Sequence, residues 1–488
     1  MKRLTLMLTT ALLAGCAVGP DYRPPATPQA AAGPFVDPGT TKVRAGAVEG
    51  EWWHLFADPA LDRLVTEALT HNTDIRQASA NLRRARAILS QARGARLPTT
   101  DASAGYTRSR TGAQSVQGAL PAGVDGVESD FFQLGLDASY EVDLFGRVSR
   151  SIEAARGDVE AARAALDGAR VAIAAETART YAAACGYAAQ AEVARETVRL
   201  QSQTLDLTRR LMEAGRGTAR DVDQARVLAE NARAQVPAFE AERRAALYAL
   251  ATLTGKPPAE IDAAAQSCTT PPGVSALIPV GDGQALLARR PDVRQAERRL
   301  AADTARIGVA TAALYPSIRL LGSVSLGAQR IEDLGKGSAF NFALGPLISW
   351  SIPNLTAARA QLRQAQAGAE GSLAAFDGTV LDALREVEQA LARYSGEIER
   401  NVALRRADDA ATNAARIAIL RFEAGRDSLF QRIDAERARA SSRAALAASN
   451  AALAEAQVAL FKALGGGWER APEPVRRDDA TVTAPSRP

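Results

Sequence analysis

Residues 132–142 read FQLGLDASYEV, and apolar and polar side chains alternate along them without a break. A period of two is the pattern of a β-strand that has one apolar face. The period changes after Gly146, because residues 147–212 contain no proline and few glycines. This composition predicts a single helix of about 65 residues, which is about 100 Å long at 1.5 Å per residue. A strand that leads into so long a helix is not typical of a compact enzyme.

The same order of patterns occurs a second time. Residues 340–352 alternate again, and a second long helix is expected over residues 357–422. Short motifs repeat as well: IRQA at 75–78 and VRQA at 293–296, and EAGR at both 213–216 and 423–426. These matches indicate an internal duplication. The offset is 218 residues before the hairpin (294 minus 76) and 210 after it (425 minus 215), so the first hairpin loop is the longer one.

The duplication organises the expected domains. Residues 16–57 are rich in proline and glycine and have no period, which predicts an extended strap. A first helix is expected from residue 58 to about 96. The full expected order is a first repeat at 58–255 (helix, β-hairpin at 99–142, long helix, short helix), an irregular equatorial segment at 256–283, a second repeat at 284–468 (helix, β-hairpin at 316–352, long helix, short helix) and a disordered tail at 469–488.

The four expected strands are each about 10 to 12 residues long, the length that crosses a bilayer with a tilt. No other segment can cover their apolar faces, so the membrane is the preferred environment; a small soluble sheet packed on a core is the alternative. Lipid tolerates no open sheet edge, and the smallest closed barrels have about eight strands. The barrel must therefore be shared between copies of the chain, and two copies or three would both close it.

The N-terminus has the anatomy of a bacterial export signal. Two basic residues precede an apolar run at 4–13, which is too short to span a bilayer. The LAGC sequence at 13–16 resembles the bacterial lipobox, in which the cysteine is acylated and becomes the new N-terminus. We therefore expect a signal peptide at 1–15 and a lipid such as palmitate on Cys16, with a simple cleaved signal as the alternative. The following Ala17 predicts sorting to the outer membrane.

Composition and motifs give no sign of an enzyme. The chain has 59 basic and 55 acidic residues and a net charge of +4, so nothing favours nucleic acid as a partner. Its two histidines, His54 and His71, belong to no cysteine–histidine cluster, and no phosphate loop or nucleophile motif occurs. We therefore expect no catalytic residue, no metal and no cofactor.

Several motifs together resemble the TolC-like outer-membrane factor family, specifically the NodT-type outer-membrane lipoproteins of tripartite efflux pumps. They are the lipobox with GPDYRPP at 19–25, the stretch 52–62, DLFGR at 143–147, the two EAGR turns, and LFKALGGGW at 460–468. The resemblance implies a mainly α-helical fold with a β-barrel: a homotrimer whose 12-stranded outer-membrane barrel continues as a long helical tunnel in the periplasm. It also implies two partners, a periplasmic adaptor and an inner-membrane transporter of the resistance-nodulation-division (RND) type.

Two turns end the long helices, and both contain glycine. Gly215 and Gly425 follow the helix ends, where a left-handed residue is needed to reverse the chain. The resemblance implies that these glycines and the arginines after them, Arg216 and Arg426, form the tips that contact the adaptor.

Phe430, Asp434 and Arg437 follow the second tip at spacings of four and three, which places them on one face of a helix. The spacing alone fits a solvated ion pair equally well. The resemblance implies a periplasmic gate, in which three copies of Asp434 form a carboxylate ring and Phe430 narrows the bore. The first repeat carries different residues at the equivalent positions, namely Arg220, Gln224 and Val227.

Two further cysteines, Cys185 and Cys268, follow Cys16 in the sequence. Cys185 lies near the middle of the first long helix, and Cys268 lies in the equatorial segment, which we also place at mid-height. A disulfide between them would fix the segment to the helix in an oxidising periplasm. Two separate buried thiols are the alternative.

The expected function is passive conduction. The chain would be a lipid-anchored outer-membrane channel, extending into the periplasm, that exports drugs or metals from the transporter and so contributes to antibiotic resistance. Two alternatives stay open: an outer-membrane duct for type I protein secretion, and a non-conducting periplasmic lipoprotein scaffold of coiled coils. The lipobox favours efflux over secretion, and the alternating strands argue against the scaffold.

Overall fold

The computed structural model describes residues 17–26, 29–36, 42–44, 46, 50–112 and 126–474. The expected signal peptide, the expected lipidation site Cys16 and most of the expected tail lie outside the described residues. Within the described part the chain is mainly helical, with a four-stranded antiparallel sheet.

Each half of the chain contains the same six elements in the same order. In the first half they are α1 (Pro59–His71), α2 (Thr73–Gly94), β1 (Thr99–Gly112), β2 (Gly126–Val142), α3 (Arg147–Glu213) and α4 (Ala219–Leu253). In the second half they are α5 (Gly283–Arg289), α6 (Pro291–Ala312), β3 (Ser317–Ala328), β4 (Phe340–Ser349), α7 (Thr356–Glu423) and α8 (Leu429–Leu464). The long helices α3 and α7 have 67 and 68 residues, so each is about 100 Å long.

The start of α3 is fixed by a side chain from the preceding turn. The carboxylate of Asp143 accepts hydrogen bonds from the backbone N–H groups of Val148 and Ser149, both at 2.8 Å. These donors have no partner inside a helix, so a carboxylate at this position stabilises the helix start. Gly146, with φ of 78°, makes the turn from strand to helix.

The sheet has the order β1-β2-β3-β4, and the pairing of β2 with β3 joins the two repeats. Leu136 lies opposite Val324, and Val324 lies opposite Phe342, so apolar side chains of three strands share one face. This face is exposed, and Phe342 is 74% accessible. Strands β1 and β4 are the two edges, and neither has a second neighbour among the described residues.

The strands of the first hairpin are longer than expected. β1 has 14 residues and β2 has 17, against the expected length of about 10 to 12, because pairing continues beyond the stretch in which apolar and polar residues alternate. Polar pairs support this extension: the Arg108 guanidinium lies 2.8 Å from the Glu128 carboxylate, and the Tyr106 hydroxyl donates to Asp130 at 2.9 Å. Cross-strand polar pairs stabilise a sheet without apolar alternation, which is why the alternation alone underestimated the strands.

The single helix expected from residue 58 to about 96 is wrong, because two helices, α1 and α2, meet at Asn72. The buried Asn72 side chain accepts hydrogen bonds from the N–H groups of Asp74 and Ile75, at 2.9 and 3.3 Å. Its amide also donates to the carbonyl of Leu253 at 3.0 Å. Asn72 therefore caps α2 and ties the break to the end of α4.

The second repeat has the same break, at Arg290, which is 218 residues after Asn72. Arg290 is buried, and its guanidinium donates to the Ala463 carbonyl at 2.9 Å and to Glu386 at 2.7 Å. Pro291 then begins α6, a position where the missing N–H costs nothing. The duplication thus preserves a helix break although different residues stabilise it.

The described chain forms two compact units. The first includes residues 17–24, 83–161 and 296–375 and contains the sheet; the second includes 25–82 and the segments 162–295 and 376–474. In the first unit Leu89 packs against Val148 and Ile152. In the second unit Trp52 stacks on Phe461 with ring centroids 4.9 Å apart.

The equatorial segment is attached at several points within the second unit. Residues Ile278–Pro279 pair in parallel with Val43–Arg44 of the strap. The Gln457 side chain makes hydrogen bonds to both backbone groups of Val274, each at 3.0 Å. Cys185 of α3 and Cys268 are joined by a disulfide, with their Cα atoms 5.2 Å apart.

Candidate gate and helix tips

The two tip turns have the same backbone geometry. Gly215 and Gly425 have φ values of 68° and 69°, the left-handed conformation that favours glycine. After each glycine, the arginine N–H donates back to the last turn of the long helix: Arg216 to Leu211 and Arg426 to Arg421, both at 2.8 Å. The four sequence-predicted tip residues, Gly215, Arg216, Gly425 and Arg426, are all exposed.

The helix after each turn begins with a capping box. Thr218 and Asp221 exchange hydrogen bonds at the start of α4, and Ser428 and Gln431 do so at the start of α8. The hydrogen bonds from Thr218 lower the pKa of the Asp221 carboxyl. The tips are therefore ordered by local backbone and side-chain bonds.

Phe430, Asp434 and Arg437 lie on one exposed face at the start of α8, and Phe430 is 68% accessible. Within the described residues neither Asp434 nor Arg437 has an opposite charge within ion-pair distance. The solvated pair between them, left open by the spacing, is therefore not formed here. Two charges and an aromatic ring remain available at this face.

The residues of the first repeat lie across from this face. Arg220, Gln224 and Val227 of α4 line an open groove of about 680 Å³ together with Phe430, Asp434 and Arg437 of α8. The structure thus brings the equivalent positions of the two repeats to opposite walls of one groove. The groove combines charged and apolar side chains and is open to water.

A buried carboxylate near the tip was missed by the sequence reasoning. Glu436 is 5% exposed, although it lies two residues after the exposed Asp434. Its carboxylate accepts a hydrogen bond from the Thr204 hydroxyl of α3 at 2.7 Å and another from Arg432 of α8 at 3.0 Å. Arg432 also stacks over the Phe422 ring at 5.3 Å. A glutamate in an arginine-rich helix gives no sequence signal of burial, because its partner is 232 residues away.

The histidines and acidic side chains of the described part of the chain form no metal-binding cluster. No group of three or more histidine, cysteine or acidic side chains there is placed to hold a metal ion. His54 lies 2.8 Å from the Asp62 carboxylate, and the ring of His71 contacts the carbonyl of Glu67 in its own helix. Both histidines thus have local structural partners.

An exposed apolar sheet joined to helices of about 100 Å defines a class of protein, the outer-membrane channels with helical periplasmic extensions. The family described as "Outer membrane efflux protein" matches residues 64–256 and 283–466, one segment in each repeat, and the chain belongs to this family. Membership confirms the resemblance found in the sequence. It also makes the chain a component of efflux rather than an enzyme.

Individual relatives align over nearly the whole chain. The antibiotic efflux pump outer membrane protein ArpC and the toluene efflux pump outer membrane protein TtgC, both of Pseudomonas putida, are each 32% identical over 476 residues, 95% of either chain. The solved structure of the outer-membrane channel OprN matches 93% of this chain and 100% of its own, with a TM-score of 0.85 and 36% identity.

Proposed function

We propose that this protein is the outer-membrane duct of a tripartite efflux pump, in which it works with a periplasmic adaptor and an inner-membrane RND transporter. The observation that carries the proposal is the sheet with one exposed apolar face and two open edges. Such a sheet is stable in lipid only if its edges are paired, so copies of the chain must complete a barrel.

The proposed assembly is a homotrimer. Edge strand β4 of one copy would pair with β1 of the next, and three copies of a four-stranded sheet give a barrel of 12 strands. The long helices would continue this barrel into the periplasm. A lipid on Cys16 would add a second attachment to the outer membrane.

The proposed cargo is small toxic compounds, because the similar proteins are named for antibiotic and toluene efflux. A duct of this kind contributes no energy and little selectivity, so the transporter would choose the substrate. The proposed tips are Gly215-Arg216 and Gly425-Arg426, which would meet the adaptor.

The proposed gate is the ring formed by Phe430, Asp434 and Arg437 of three copies. Three carboxylates at one level repel each other and attract cations, so the closed pore would favour cations. Adaptor binding would move α8 outward and widen the opening.

Single-channel recording in a planar bilayer tests the proposal. We expect discrete, mostly small, cation-preferring currents from the purified lipidated protein, and larger currents after Asp434 and Arg437 are both replaced by alanine. Unchanged conductance in the double variant would refute the gate. The absence of any current from both proteins, with trimer confirmed in the bilayer, would refute the duct.

A further inference from the structure

Two sequence motifs that the proposed channel function does not use lie together in the first unit, the first of them as far as residue 24. GPDYRPP at 19–25 follows the expected lipidation site, and DLFGR at 143–147 makes the turn between β2 and α3. The backbone N–H of Val18 donates to the carbonyl of Phe145 at 3.3 Å, so the N-terminal segment lies directly on this turn.

Arg150 of α3 holds the segment from beneath. Its side chain is only 7% exposed, and one terminal nitrogen lies 2.7 Å from the Asp21 carboxylate. The guanidinium also donates to the carbonyls of Val18 and Gly19, at 3.4 and 3.5 Å, and to Glu153 at 2.8 Å. A buried arginine needs such partners, because an unpaired charge away from water is costly.

Glycines allow the N-terminal segment to approach both α6 and the turn between β2 and α3 closely. Gly19 has φ of 92°, and a Cβ on it would lie 2.5 Å from the Cα of Gly308 in α6. A Cβ on Gly146 would lie 2.7 Å from the Cα of Ala17. Both distances are shorter than any ordinary carbon contact, so a side chain at either glycine would force the segment away.

Tyr22 closes the far end of the same site. Its hydroxyl donates to the Glu297 carboxylate at 2.8 Å, and burial together with this bond raises the pKa of the phenol. The segment from Ala17 to Tyr22 is therefore held by a charged pair, backbone bonds, close packing and a terminal hydrogen bond.

We propose that these contacts form a dedicated docking site for the chain's own processed N-terminus, which fixes the lipid anchor at the junction of barrel and helix. Ala17 lies against Gly146, four residues after β2 ends, and one peptide bond joins it to the proposed lipidation site. The statement about the lipid rests on the proposed lipidation, whereas the docking of residues 17–22 does not.

The test is the mobility of a spin label on the segment in the full-length purified protein. The label is attached to Arg23→Cys, and its motion is compared with and without Gly19→Ala, which leaves every charge in place. We expect a restricted label that becomes at least about threefold faster in the Gly19→Ala variant. Arg150→Gln should have the same effect. Gly33→Ala is the matched control in the strap, because its new methyl group meets no atom within 4 Å.

The effect of the lipid is separated from that of the protein contacts by Cys16→Ser combined with a simple cleaved signal in place of residues 1–15, so that the N-terminus is still processed but carries no acyl group. A label that stays restricted in this variant supports docking by the protein contacts. The proposal is overturned if this variant alone frees the label, if the label moves freely from the start, or if Gly19→Ala behaves like the Gly33→Ala control. Mass spectrometry of the N-terminal peptide reports lipidation independently, so a missing lipid would be recognised as a failure of the proposed anchor and not of the docking site.

Discussion

Replacing Thr204 by valine should make the channel open more often. The Thr204 hydroxyl donates to the buried carboxylate of Glu436 at 2.7 Å and so links α3 to the helix that carries the proposed gate. Valine has nearly the same shape but no donor. If α8 leaves α3 on opening, the wild-type protein loses this bond while the variant loses nothing.

The size of the expected rise in open probability follows from the negative charge of the Glu436 carboxylate, which accepts the bond. A hydrogen bond to a charged group contributes about 1.5 to 3 kcal/mol, and leaving a buried carboxylate oxygen unpaired costs a similar amount. Because about 1.4 kcal/mol corresponds to a factor of ten, the ratio of open to closed channels should rise about 10- to 100-fold in Thr204→Val. The assay is the open probability of single channels in a planar bilayer.

Thr208→Val is the matched control. Thr208 is also a buried threonine of α3, but its hydroxyl donates only to the Thr204 carbonyl within the same helix, at 2.7 Å. Loss of the Thr208 hydroxyl should change the open probability less than about twofold, since this bond within α3 is the same in the open and the closed channel. Equal open probabilities in wild type and Thr204→Val would refute the role of this bond in holding the gate.

Three further predictions concern the gate, the disulfide and a buried carboxylate. Asp434→Asn should lower the preference for cations, measured as a reversal potential in a salt gradient, whereas Asp223→Asn, on the opposite wall of the groove, should leave it nearly unchanged. Replacing Cys185 and Cys268 by serine should lower the temperature of irreversible inactivation. The disulfide closes a loop with a sequence separation of 83, and the entropy that it removes from the unfolded chain stabilises the folded protein by about 4.5 kcal/mol. Free thiols in non-reducing peptide mapping would contradict this prediction. Burial raises the pKa of the Asp167 carboxyl in the folded protein. The contribution of this carboxyl to the free energy of unfolding is therefore complete below about pH 4, and it is lost as the pH rises through the folded-state pKa. Asp167→Asn should therefore show a smaller loss of thermal stability between pH 4 and 7 than wild type.

The large elements could be read from the sequence because their signals are local and repeated. The alternation at 132–142 gave the apolar face that the register of Leu136, Val324 and Phe342 confirms. The unbroken helical composition gave α3 to within one residue of its observed end. Both signals occur twice at a fixed offset, which removes most of the ambiguity of a single pattern.

The missed features depend on partners that are distant in the sequence. Asn72 breaks a helix because its side chain reaches the carbonyl of Leu253, 181 residues later. Glu436 is buried because Thr204 supplies a donor from another helix. Helical periodicity describes which residues share a face but not which face meets a neighbour, so neither contact could be inferred from local pattern.

The two repeats differ at the tip that carries the proposed gate, in how the helix after each tip is held to α3. The position equivalent to Glu436 in the first repeat is Arg226, which is exposed and pairs with Asp223 of its own helix at 2.8 Å. At the start of α4, Val222 and Ala225 pack against Leu205 of α3, and farther along α4 Arg233 donates to the Ser202 hydroxyl of α3 at 3.4 Å. If the proposed gate opens by a movement of α8, the buried bond between Thr204 and Glu436 is the contact that this movement breaks, and Thr204→Val tests it directly.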